Sequence, residues 1–175
     1  MKICVIQPRY SFDPCELDAC VQGLLDQLDE CDESMDLILL PEYSDALADV
    51  KGEAGFYGAV EKYNALLLEK ARATAKRCHS LVFVNAGYDS GKGVRNTTYA
   101  IDREGEIVGK YFKAHPAPSE VKRDAEGGHG LDVDYSYDYA EPYILELEGI
   151  RFAFLTCYDF YFYENFAQIA RKRPD

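Results

Sequence analysis

None of the six cysteines, Cys4, Cys15, Cys20, Cys31, Cys78 and Cys157, forms a CxxC pair, so the usual signals for a zinc ribbon or a dithiol redox motif are missing. Their scattered spacing is no disulfide framework and fits a reducing compartment. Basic charge is also short. The 19 Lys and Arg against 31 Asp and Glu leave a formal charge of -12, and the basic clusters "KAHPAPSEVKR" and "RKRPD" are short and mixed. No basic stripe exists to neutralise a phosphate backbone, which excludes nucleic acid as the expected partner. No apolar run is long enough to cross a bilayer, and the apolar stretch in "MKICVIQPRY" is too brief for a signal peptide. The expectation is a cytoplasmic protein with no membrane partner. Repeats and interdomain linkers are absent too, so residues 1–175 read as a single domain. The 47% hydrophobic and 29% charged content suffices for one core.

Within that domain the patterns are those of a layered α/β fold. The segment 2–7 is a β-branched run closed by Pro8, and "MDLILLPEYSD" is a second buried strand stopped by Pro41. Between them Leu17, Cys20, Val21, Leu24, Leu25 and Leu28 recur at helical spacing, with Asp18, Asp26 and Asp29 on the other face. Residues 57–76 read as a second helix and "SLVFVNAGYD" as a third strand. The rhythm then changes. "NTTYAIDREGEIVGKYFK" and "YILELEGIRFAFLTC" look like hairpins, which makes the sheet mixed. The long loop 114–142, rich in proline, glycine and tyrosine, is expected to be functional or mobile. "GYDSGKG" does not have the spacing of a phosphate-binding loop. The tyrosines at 135–143 and 158–163 suit a pocket wall or a subunit interface.

Sites in layered α/β folds collect where strands run out. Three residues stand at such points: Glu42 after "LILLP", Lys113 after "IVGKYF" and Cys157 after "RFAFLT". Each has an ordinary alternative, as a loop carboxylate, a solvated lysine or a small core hydrophobe. Together they form a chemical set: a nucleophile, a carboxylate to take its proton and an ammonium to hold developing negative charge. A Cys-His pairing would instead need His79, His115 or His129 beside Cys157.

On the blocks "LILLPEYSD", "NTTYAIDREGEIVGKYFKAHPAPSE" and "GIRFAFLTCYDFYFYE", in that order and with gaps of 71 and 44 residues between the key positions, the sequence resembles the nitrilase superfamily of carbon-nitrogen hydrolases. The resemblance implies an αββα sandwich, with mixed sheets flanked by helices. It implies Glu42, Lys113 and Cys157 as the catalytic triad, Glu120 as a second, orienting glutamate and the Tyr158 backbone N–H as an oxyanion donor. No metal or organic cofactor is implied. Many members carry arginine and proline where this chain has Tyr161 and Tyr163, so the cysteine motif selects no substrate. Members also continue past the cysteine helix, whereas this chain stops at Asp175; it is expected to be the N-terminal part of a usual member, incomplete at the C-terminus.

The resemblance implies that Glu42 accepts the Cys157 proton, that the thiolate attacks an amide, N-carbamoyl or nitrile carbon, and that a thioester forms which water then opens. A helix N-terminus and Lys113 are expected to lower the Cys157 pKa. The implied partners are a small-molecule amide or carbamoyl substrate and further copies of the chain in a homo-oligomer. The rival expectation is a non-catalytic fragment or pseudoenzyme that serves in assembly.

Overall fold

The computed structural model describes residues 1–123, 128–134 and 141–175. Five strands form one sheet: β1 (Ile3–Val5), β2 (Leu37–Leu39), β3 (Leu81–Asp89), β4 (Val94–Ile101) and β5 (Ile107–Phe112), hydrogen-bonded in chain order. β1, β2 and β3 are parallel because each crossover returns through a helix. These are α1 (Leu17–Glu30) and α2 (Gly52–Cys78). β3, β4 and β5 are joined by short turns and run antiparallel, so the sheet is mixed as the sequence pattern implies. The "SGKG" stretch makes the β3–β4 turn, with Ser90 N–H donating to Gly93 O.

Both helices lie on one face of this sheet. The apolar stripe of α1 is buried in full, Cys20 included, against Phe56, Ala59, Val60, Leu67 and Ala71 of α2 and against Ile38, Val82 and Val84 of the sheet. At Gly87 β3 comes close to Val60 of α2 and to Val94 of β4. A Cβ there would sit 2.7 Å from Val60 Cγ1 and 3.0 Å from Val94 Cγ1. Gly87→Ala is therefore expected to lower stability by about 1–3 kcal/mol through overpacking, read as a lower urea midpoint at unchanged slope. An unchanged midpoint would mean that α2 yields at no cost.

The opposite face carries the second sheet, a hairpin of β6 (Ile144–Leu147) and β7 (Ile150–Ala153) turning at Glu148 and Gly149, both with positive φ. Leu145, Leu147, Phe152 and Phe154 pack on Leu37, Leu81, Phe83 and Ala100. This is the sheet-on-sheet contact of the expected sandwich. The hairpin lies over β2, β3 and β4 and reaches β5, where Leu145 closes on Gly109, but it does not extend over β1: Ile3 and Val5 point to the same side and are 52% and 62% exposed. Beyond β7 the chain makes a 3-10 turn at Cys157–Tyr161 and then α4 (Tyr163–Lys172). A short helix, α3 (Pro118–Val121), follows β5. Tyr135, Tyr137 and Tyr139 and part of the long 114–142 loop lie outside the described residues.

Candidate active site

The glutamate arrives on a stapled loop. Pro41 ends β2, and Tyr43, with φ +54°, turns the chain sharply after Glu42. Tyr43 N–H donates to Asn85 Oδ1 (2.8 Å) and Ser44 N–H to Asn85 O (2.9 Å), both on β3. Asp45, fully buried, accepts from Gly87 N–H (2.9 Å) and Asn64 Nδ2 (3.0 Å). Three consecutive residues after Glu42 are thus tied to β3, α2 or both.

Lys113 extends the ladder of β5 by one bond, its N–H donating to Asn96 O (3.0 Å). Its side chain is 1% exposed, and Nζ donates to Glu42 Oε1 and to Glu120 Oε2, each at 2.7 Å. Glu120, from α3, is itself buried and also accepts from the Ala117 N–H and the Tyr43 hydroxyl. Asn96 of β4 ties the two carboxylates together, donating through Nδ2 to Glu42 Oε1 (2.8 Å) and Glu120 Oε1 (3.0 Å). Asn85 fixes that amide, donating to Asn96 Oδ1 at 2.7 Å. A buried ammonium between two carboxylates needs further donors to the carboxylate oxygens, and Asn96, the Tyr43 hydroxyl and the Ala117 N–H supply them.

The charges set the proton positions. Burial pulls the Lys113 ammonium down, but Glu120 and then Glu42 more than offset it, and its pKa is raised. Burial pushes the Glu120 carboxyl up, yet Lys113, Tyr43 and the Ala117 N–H hold it below the usual carboxylate range. Burial first, then the neighbouring Glu120, drives the Tyr43 phenol well above its ordinary value, so it remains a donor.

Cys157 opens the 3-10 turn with φ +47°, a left-handed conformation that side chains other than glycine rarely adopt. The residue is exposed. Its thiol is raised above the ordinary value, first by partial desolvation and then by the Glu42 charge and hydrogen bond; Lys113 pulls the other way but less. This corrects the expectation of a lowered pKa. The lysine's pull on the thiol is outweighed because its charge is already shared by two carboxylates. The turn that carries Cys157 supplies one short 3-10 segment rather than the end of a long helix.

Glu42, Lys113, Glu120 and Cys157 are therefore brought to one place. Glu42 and Cys157 line the same cavity of about 400 Å³ between the two sheets, with Phe83, Asn85, Thr98 and Phe154. A second cavity, about 220 Å³, reaches Glu42 from the other side between Tyr10, Tyr43, Asp49, Phe56 and His129. The Tyr158 N–H lies in the first turn, ahead of the first bond of that turn, Asp159 N–H to Thr156 O (3.1 Å). Among the described residues it meets no acceptor, and it is the next main-chain donor after Cys157.

The histidines take other roles. His79 caps α2 in the left-handed conformation, His129 stacks on Phe56 at 4.3 Å and His115 stacks on Phe162 at 3.9 Å. Sequence reasoning missed Asn85 and Asn96. For Asn85 a signal was available, a polar residue between Val84 and Ala86 in an otherwise apolar strand; Asn96, between Arg95 and Thr97, carries none.

The family model for carbon-nitrogen hydrolases matches residues 2–175. Three solved structures show the fold. A carbon-nitrogen hydrolase from Helicobacter pylori G27 is 16% identical with a TM-score of 0.67, over 94% of this chain and 54% of that one. The Caenorhabditis elegans NitFhit protein is 19% identical with a TM-score of 0.68, over 98% of this chain and 41% of that one. A variant of the amidase from Nesterenkonia sp. AN1, in complex with butyramide, is 17% identical with a TM-score of 0.63, over 94% and 59% respectively. This chain thus spans about half the length of these relatives. No curated protein matches it.

Proposed function

Because the chain belongs to the carbon-nitrogen hydrolase family, we propose that it is a cysteine-dependent hydrolase of non-peptide carbon-nitrogen bonds, acting on a short linear amide or an N-carbamoyl compound. The observation that carries this reading is the Lys113 ammonium at 2.7 Å from both Glu42 and Glu120, with Glu42 opening into the cavity that Cys157 lines. A cavity of about 400 Å³ is the size for a small molecule. The butyramide held by the Nesterenkonia amidase favours an aliphatic amide over a nitrile.

Glu42 takes the proton from Cys157 Sγ as the sulfur attacks the carbonyl carbon, so no free thiolate has to exist at rest. The oxygen of the tetrahedral intermediate carries the negative charge, and Lys113 Nζ and the Tyr158 N–H hold it. Glu42 then gives its proton to the leaving nitrogen, ammonia departs, and the acyl group stays on sulfur as a thioester. Water attacks that carbonyl with Glu42 again as base. The second intermediate collapses to the carboxylic acid, and the sulfur recovers its proton from Glu42. Glu120 touches no reacting atom and acts by holding Lys113. The same reading places the protein in the cytoplasm as a homo-oligomer of single-domain subunits.

The test is ammonia release from a panel of short aliphatic amides, N-carbamoyl compounds and nitriles, with Cys157→Ala as control. Turnover of an amide or carbamoyl compound, abolished in the variant, is the expected result. Absence of turnover, together with iodoacetamide labelling of Cys157 no faster than that of the exposed Cys15, would instead favour the non-catalytic assembly subunit.

A further inference from the structure

Asp159 lies two residues beyond Cys157 and is fully buried. Three donors converge on its carboxylate. Thr156 N–H (2.8 Å) and the Tyr111 hydroxyl (2.7 Å) reach Oδ2, and His115 N–H (2.7 Å) reaches Oδ1. The imidazole Nδ1 of His115 is 3.2 Å from the same Oδ1, and Asn165 of α4 donates to the Asp159 backbone carbonyl at 2.9 Å. Two of the donors are main-chain groups in telling places. Thr156 immediately precedes the cysteine, and His115 is two residues past the lysine. Both lie beyond their strand ends, where no ladder satisfies a buried N–H.

We propose that Asp159 is a positioning residue for hydrolysis: its carboxylate ties the chain after Lys113 to the chain before Cys157 and so fixes the ammonium relative to the sulfur. The inference rests on the reading of Cys157 as nucleophile. Asp159 N–H donates to Thr156 O at 3.1 Å while the side chain accepts from Thr156 N–H, so the turn is closed from both sides around the left-handed Cys157. Tyr111 belongs to β5, paired opposite Thr98 of β4, and links the same carboxylate to the main sheet. Only an acceptor with two equivalent oxygens can serve the lysine side and the cysteine side together.

Asp159→Asn tests this with nearly unchanged volume. Its single acceptor oxygen can serve the Thr156 or the His115 N–H, and its amino group opposes the other. The variant is expected to lower kcat by about a hundredfold with KM little changed, since a misplacement of about an ångström has that effect. The Glu42-dependent alkylation of Cys157 by iodoacetamide at mildly acidic pH should fall in parallel. Tyr111→Phe, which removes a side-chain donor and leaves both main-chain links, should give a smaller fall in both. A folded Asp159→Asn protein with a lower urea midpoint but wild-type kcat and alkylation would make the residue merely structural and overturn the proposal. If Asp159→Asn does not fold, Tyr111→Phe decides alone: reduced alkylation supports the proposal and wild-type alkylation overturns it. Wild-type protein without Glu42-dependent alkylation sinks the hydrolase reading, and this inference falls with it. Glu42-dependent alkylation that Asp159→Asn leaves intact sinks this inference only.

Discussion

Glu42→Gln is expected to lower amide hydrolysis by about 10²–10⁴-fold, the range for loss of a general base, and to change the shape of the pH profile of Cys157 alkylation. In the wild type the thiol is raised by desolvation and by Glu42, so loss of its proton to solvent supplies little thiolate near neutrality. A second supply is internal. The proton can pass from Sγ to the Glu42 carboxylate, and this exchange leaves the number of bound protons unchanged. Its thiolate fraction is therefore independent of pH as long as the two groups hold one proton between them. Glutamine cannot take the proton, so the variant keeps only the solvent route, which weakens about tenfold per pH unit below the thiol pKa. Removing Glu42 also removes two of the causes that raise the thiol, while Lys113 still lowers it. The variant should thus titrate at lower pH than the wild type. The two rate curves must cross, wild type faster in acid and variant faster in alkali. Iodoacetamide rates from about pH 5 to about pH 9, with all six cysteines mapped, read this directly. Parallel curves would remove Glu42 as the base.

Much of this arrangement is visible in the linear sequence. The stripe from Leu17 to Leu28 gives α1 because helical spacing and the acidic face agree residue by residue. Both hairpins are marked by their turns, Asp102–Gly105 and Glu148–Gly149. The order of the Glu42, Lys113 and Cys157 blocks carries the family, and the geometry brings those residues together with Glu120. The start of α2 was less legible: the helix begins at Gly52 rather than Tyr57, and Gly55 and Gly58 argue against helix by propensity while the burial of Phe56, Ala59 and Val60 overrides them. Asn96 illustrates the harder case. Within "RNTTYAI" it reads as an ordinary strand residue, and its partners stand 54 and 24 residues away. The sign of the Cys157 shift was hidden for the same reason. Local sequence displays a lysine and a helix start, whereas the two carboxylates that neutralise the lysine become its neighbours only on folding.

Lys113→Met is expected to abolish hydrolysis and to lower stability by about 3–5 kcal/mol, because methionine fills the volume but leaves two carboxylates without their cation. The pH dependence identifies the cause. In the wild type Glu120 has a lowered pKa, so its stabilising contribution is present above the ordinary value of 4.5 and is lost as pH falls through the folded value. Lys113 has a raised pKa, so its contribution is complete below 10.5 and is lost as pH rises through its folded value. Between those limits the wild type should show no pH dependence from this cluster. In the variant the largest influence lowering Glu120 is gone, burial still raises it, and its pKa must move up relative to the wild type. Protonation of Glu120 then relieves the uncompensated charge, so the variant gains stability on mild acidification where the wild type does not. The deficit between the two proteins should be widest near neutrality and should narrow toward the carboxylate range, measured as urea midpoints at a series of pH values. The opposite end adds a check: above about pH 10.5 the wild type loses its lysine contribution and the two proteins should converge there as well. A deficit that stays constant across the whole range would assign the loss to packing of the lysine stem, and the ion cluster would then contribute little to holding the site together.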